Sequence, residues 1–112
     1  MTTFVLSLNP LALANPDLDI RYVLPDLLAE RSCGVIEDDG YDYADDARTL
    51  LLFLRATELN AALACIRDVI ENVPVLGNDL RPATVVAVKR PKGYEVVYPV
   101  DYRGSIPVTR DH

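Results

Sequence analysis

Leu50-Leu51-Leu52-Phe53-Leu54 is a run of five large apolar residues with no polar position among them. A half-exposed strand alternates apolar and polar side chains, so an unbroken run reads as a strand buried on both faces, at the centre of a sheet. The next segment of the chain narrows the choice further. Leu59, Ala62, Leu63, Ile66, Val69, Ile70 and Val73 recur at three- and four-residue spacing, while Arg67, Asp68 and Glu71 fall between them. That is a helix with one apolar stripe, made to lie on a sheet. Thr57 is placed to cap it, Glu58 stands in its first turn, and Pro74 with Gly77 ends it.

The other elements are read from local signals. Thr2 to Leu8 holds Phe4, Val5 and Leu6 together and reads as a first strand. Asn15, Pro16, Asp17 and Asp19 form a helix-start signal, and Leu18, Tyr22, Leu24, Leu27 and Leu28 carry the helix towards Arg31. Pro25 removes a backbone donor inside it, which predicts a kink or a break into two short helices. Val35 and Ile36 open a strand that pairs with Thr49 to Leu54 across an acidic connection. Ala83 to Val88 and Tyr94 to Tyr98 form a second hairpin around Arg90-Pro91-Lys92-Gly93. Val100 to His112 shows no sustained period and reads as an irregular tail.

The order is strand, helix, strand, strand, helix, strand, strand. It predicts the α+β class and a ferredoxin-like plait, βαββαβ with an extra C-terminal β-strand, in which an antiparallel sheet carries two helices on one face over about residues 3 to 99. A chain of 112 residues, half of them hydrophobic, suits one domain with one core, so residues 1 to 112 are read as a single unit. Met1 to Leu13 has no basic start and is interrupted by Asn9 and Pro10, which does not fit a secretion signal. No apolar run approaches the roughly 20 residues of a membrane span, so a cytoplasmic protein is expected. Cys33 and Cys65 are far apart and outside any metal-binding spacing, and read as two free, packed thiols.

The net charge of −6 has one source. Glu37 to Asp46 carries six acids and no base, and the remaining residues carry eleven of each sign. Only Lys89, Arg90 and Lys92 cluster among the bases, which argues against nucleic acid as a partner. Gathering six like charges in Glu37-Asp38-Asp39-Gly40-Tyr41-Asp42-Tyr43-Ala44-Asp45-Asp46 costs self-repulsion that a single lysine would relieve. A calcium loop fails the template: with Gly40 at the sixth position, Val35 stands first and cannot ligate, and Asp46 stands where a bidentate Glu belongs. No metal and no cofactor are expected. The run reads either as a solvated hairpin loop, kept soluble by its charge, or as a recognition surface for a basic protein. In the second reading Glu37, Asp39, Asp42, Asp45 and Asp46 supply charge complementarity while Tyr41 and Tyr43 supply aromatic anchors.

In size, in charge and in its acidic aromatic patch Asp39-Gly40-Tyr41-Asp42-Tyr43, the chain resembles the small acidic immunity proteins of bacterial polymorphic or contact-dependent toxin systems. The resemblance is one of type. It implies one-to-one binding to a cognate toxin, often a nuclease with a basic cleft, and no catalytic activity. Enzyme readings find little support in the residues themselves: His112 is the only histidine and stands at the terminus, so no Ser-His or Cys-His arrangement can be assembled. The alternative of a different class is a regulatory module that binds a small molecule at a homodimer interface, as ferredoxin-like domains resembling the ACT type do.

Overall fold

A computed structural model of the chain describes residues 1 to 102 and 104. Among these residues, five strands and two helices succeed one another as β1 (Thr2–Leu8), α1 (Ile20–Arg31), β2 (Ile36–Tyr43), β3 (Leu50–Ala56), α2 (Leu59–Asn72), β4 (Thr84–Arg90) and β5 (Gly93–Tyr98), with a 3-10 turn at Pro10–Ala12. The sheet order is β2-β3-β1-β4-β5, and every neighbouring pair is antiparallel. Each helix therefore links two strands with a third lying between them. This is the ferredoxin-like plait, extended by β5 beyond β4.

The apolar run lies where its composition requires. Alternate residues of β3, namely Leu50, Leu52, Leu54 and Ala56, join Phe4, Leu6, Leu8, Val86 and Val88 under the helices, together with Ile20, Leu24 and Leu28 of α1 and Ala62, Ile66, Val69 and Ile70 of α2. The intervening Leu51 and Phe53 point to the opposite face, where they form a smaller cluster with Val5, Ala87 and Ala44, and Tyr94 and Val96 pack against it. β1 and β3 are thus buried on both sides, which leaves Arg55 as the one exposed residue of β3. On α2 the expected stripe is observed, with Leu59, Leu63 and Val73 half-buried along its margins.

Three local expectations are corrected. Asn15 does not start α1; the helix begins four residues past Pro16, at Ile20, after Asp17 has accepted a hydrogen bond from the Asp19 backbone. Pro25 neither breaks nor divides it, since α1 runs unbroken from Ile20 to Arg31 with Pro25 buried. The lost backbone bond is offset by burying that ring beside Leu24 and Leu28. α2 starts one residue later than Thr57 would place it: Glu58 stands at its N-cap and makes no side-chain capping bond. Thr57 instead donates its backbone N–H to the Val35 carbonyl, continuing the β2–β3 junction. In the tail, residues 99 to 102 and 104 are irregular; the rest of the predicted tail, His112 included, lies outside the described residues.

Asn15 and Asn78 fasten the two connections that run past one end of the sheet. The buried Asn78 accepts from the Asn15 backbone N–H at 2.7 Å and donates to the Asn15 carbonyl at 2.7 Å, while the Asn15 amide donates to the Leu76 carbonyl at 3.1 Å. Asn78 also closes a tight turn with Val75, whose two central residues, Leu76 and Gly77, both have positive φ. Gly77 suits that backbone; Leu76 adopts it at a cost of about 1–2 kcal/mol, offset by packing against the main core. Replacing Asn78 by Ala leaves the Asn15 N–H unpartnered and its carbonyl with the Asp17 N–H alone, so Asn78→Ala is expected to destabilise the fold by about 2 kcal/mol. Urea unfolding of both proteins checks it: an unchanged midpoint would mean that the clasp carries no stability.

Candidate functional site

The acidic run is an edge strand rather than a loop. Ile36 pairs with Ala56, Glu37 with Arg55 and Asp38 with Leu54, and after a shift in register Tyr41 pairs with Leu52, Asp42 with Leu51 and Tyr43 with Leu50. Acids and glycine are poor strand formers, but β3 offers a fully formed partner, and an edge position lets charged side chains remain in water. The shift inserts one extra residue at Asp39-Gly40, opposite Phe53. Gly40, at φ +94°, supplies the backbone that this bulge needs, and Asp38 Oδ1 accepts its N–H at 2.9 Å. The actual connection to β3 is the turn from Ala44 to Thr49, closed by the Ala44 N–H on the Thr49 carbonyl.

Strand geometry divides the six acids. Glu37 and Asp39 turn to one side and share Arg55, at 3.6 and 3.5 Å. These pairs are about half exposed and contribute little to stability. Asp42 accepts the Tyr43 backbone N–H, and Asp45 is exposed in the turn. Asp46 holds that turn together, because its carboxylate accepts from the backbone N–H groups of Arg48 and Thr49 and from the Thr49 hydroxyl, at 2.7 to 2.8 Å. Those bonds, led by the Thr49 N–H, keep the Asp46 carboxyl below the usual carboxylate range. No group of three or more His, Cys, Asp or Glu residues among the described residues is arranged to hold a metal ion.

Tyr41 and Tyr43 lie on the helix side of β2, in register with Leu52 and Leu50, and there they meet α1. The Tyr22 and Tyr41 rings are edge to face at 6.0 Å, and the Tyr41 and Tyr43 rings at 6.2 Å. The Arg21 guanidinium lies 4.7 Å from the centre of the Tyr22 ring and 5.4 Å from that of Tyr41, within cation–π range. All three tyrosines remain 36 to 48% exposed, and Leu18, one turn before Tyr22, is 60% exposed. Hydrogen bonding by Arg21 lowers the Tyr22 hydroxyl pKa, with Tyr41 next in effect, and hydrogen bonding with Tyr22 raises that of Tyr41.

Arg21 and Tyr22 were not legible as site residues, because the spacing of Tyr22 with Leu18 placed both in the core stripe of the helix. The usable signal was Pro16-Asp17 before them: it delays the helix and turns Leu18 and Tyr22 outward, while Ile20 takes the buried position. The cysteines differ from each other. Cys65 packs partly against the main core, and burial raises its thiol pKa, as expected of a packing residue. Cys33 is exposed, at φ +53° just past the end of α1, which corrects the expectation that it packs. The Lys89-Arg90-Lys92 group lies in the β4–β5 hairpin, at the edge opposite β2, with Arg90 held by Glu95 at 3.3 Å. No helix among the described residues is long and apolar enough to cross a membrane.

Because Asp46 has a depressed pKa when folded, its contribution to stability is full above its unfolded value, near 3.8, and is lost as the pH falls through the lower folded value. Asp46→Ala should therefore be less stable than the wild type at neutral pH, and the gap should close as the pH drops below about 4. Urea midpoints measured across that range check the sign; a gap that persists in acid would point to backbone strain at the turn instead. Compared with protein-family models, with curated proteins and with solved structures, the chain gives no match in any of the three.

Proposed function

We propose that this protein is a non-catalytic binding domain that neutralises a cationic protein, and that the partner is a bacterial toxin with a basic cleft. The observation that carries the reading is the exposed tyrosine cluster on an edge strand built largely of acids. Interfaces draw most of their energy from a few aromatic or arginine anchors surrounded by polar residues. Tyr41 and Tyr43 have that character here; Asp38 lies on their side of β2, Glu37, Asp39 and Asp42 line the other side of the same edge, and Asp45 is exposed in the turn that follows. A solvated strand kept apart from other sheets would need the acids and the bulge but gains nothing from three exposed aromatic rings. Size, net charge and the acidic aromatic patch support the resemblance to immunity proteins.

A regulatory homodimer of the ACT type is the weaker reading. Pairing two β2 edges would set like charges opposite one another, so such a dimer would have to use β5. Nothing in the geometry favours that edge for pairing over β2 except its lower negative charge.

Capture from a lysate of the source organism tests the proposal. A basic protein should be retained in stoichiometric amount at low salt, and lost at about 0.5 M salt, where exposed charge contacts are screened. Replacing Tyr41 or Tyr43 by Ala should weaken its binding by about 2 kcal/mol, roughly thirtyfold, for each ring that acts as an anchor. The retained protein should be toxic when expressed alone and harmless with this chain. Retention unaffected by the double Tyr41→Ala, Tyr43→Ala change would refute the site, and a harmless partner would refute the neutralising role.

A further inference from the structure

The ring faces of the tyrosine cluster are already in use. Arg21 spreads its guanidinium over Tyr22 and Tyr41, and its Nε is buried without a hydrogen-bond partner. A guanidinium in a strongly acidic neighbourhood would ordinarily take a carboxylate in a two-point contact. Ten of the seventeen acids lie between residues 17 and 55, against four of the eleven bases, while the other seven acids and seven bases cancel. Arg31 and Arg55 of that segment do make ion pairs, with Asp68 and with Glu37 and Asp39. Arg21 lies on aromatic faces instead, although Asp17 and Asp19 precede it by one turn or less.

We infer that the Tyr22, Tyr41 and Tyr43 cluster is a docking surface for arginine side chains of a cationic protein, and that Arg21 occupies it in the unbound state. The inference rests on the reading of β2 as the edge that meets a basic partner, and it names the side chain that the partner supplies. Two properties commit the occupant. The segment from residue 17 to residue 55, which supplies all three tyrosines, carries a net charge of −6 and calls for a cation. The planar guanidinium is the cation that stacks on tyrosine faces, whereas a lysine ammonium, a strongly hydrated point charge, gains less from them. An incoming arginine takes over the ring faces, and Arg21 swings out towards the carboxylates of Asp17 and Asp19, so the exchange leaves no cation stranded. α1 thereby becomes half of the surface, with Tyr22 as a contact residue and Arg21 as its internal occupant.

The probes are two peptides of equal length, one of arginine only and one of lysine only, titrated calorimetrically at about 0.05 M salt, where the screening length is still large. The wild type should bind the arginine peptide about two- to fivefold more tightly, the range for exposed cation–π contacts. The Tyr22→Leu, Tyr41→Leu double variant should lose this preference and bind both peptides equally. Arg21→Gln vacates the rings without removing them, so the preference should widen. Equal affinity of the wild type for the two peptides, a preference that survives the double variant, or a preference that narrows in Arg21→Gln would overturn the inference and leave the acidic-edge reading standing. Binding of neither peptide by a folded wild type would overturn both.

Discussion

Burial of β1 and β3 on both faces is the constraint on which the rest of this structure depends. Val5, Leu51, Phe53 and Ala87 are shielded on one side of the sheet as fully as Phe4, Leu6, Leu52 and Leu54 are on the other. Strands with two apolar faces cannot stand at an edge without exposing large hydrophobic area, at about 25 cal/mol for each Å². They take the centre, and the remaining strands are displaced outward. β2 has a single apolar attachment to the core at its start, Ile36, and closes with Ala44 just beyond its end. Only the edge is open to a strand of that kind.

Edge position then explains features that look unrelated in the sequence. An exposed row of backbone donors and acceptors invites pairing with another sheet, and charge and bulges are the usual defences. β2 has both, in its acids and in the Asp39-Gly40 bulge. β5, the opposite edge, has a bulge of its own between its pairings with Val86 and Ala87. The acids of β2 therefore have a sufficient structural cause, whatever they recognise. The tyrosines do not share it. Two partly exposed rings on β2 and a third from α1 do nothing to prevent edge pairing, and the same covered area could have been made from aliphatic side chains. The aromatic part of the patch thus carries more functional information than the larger and more conspicuous charge run.

Strand and helix order, the buried stripe of α2 and the second hairpin were legible because each rests on a local period or a turn signal that tertiary packing reinforces. β1 was read to the residue, since Thr2 to Leu8 is bounded by a start and by Asn9-Pro10. The acidic segment was misread as a loop because strand formation there is imposed by β3, and composition alone opposes it. Asn15 was misread as a helix cap for a similar reason: its partner, Asn78, is 63 residues away, and no local pattern announces a bond of that separation. The site was half legible. Tyr41 and Tyr43 stood out among acids, whereas Arg21 and Tyr22 sit in an irregular helical pattern whose outward turn depends on where α1 begins.

The connection between fold and site runs through α1. In a split strand-helix-strand unit the helix leaves β1 and must cross the face of β3 to deliver the chain to β2, so its outer flank ends above the outermost strand. A residue on that flank can touch only β2 side chains that point towards the helices, and after the bulge these are Tyr41 and Tyr43. Had the same residues paired one-to-one with β3 and without the bulge, Tyr41 would stand opposite Leu51 and Asp42 opposite Leu50, and Asp42 would face the helix while both tyrosines faced away. The two-against-one pairing of the bulge therefore decides whether Tyr22 meets an aromatic pair or a carboxylate. The bulge that guards the edge is also what assembles the cluster, and a single backbone irregularity at Gly40 links protection against edge pairing to the chemistry of the surface.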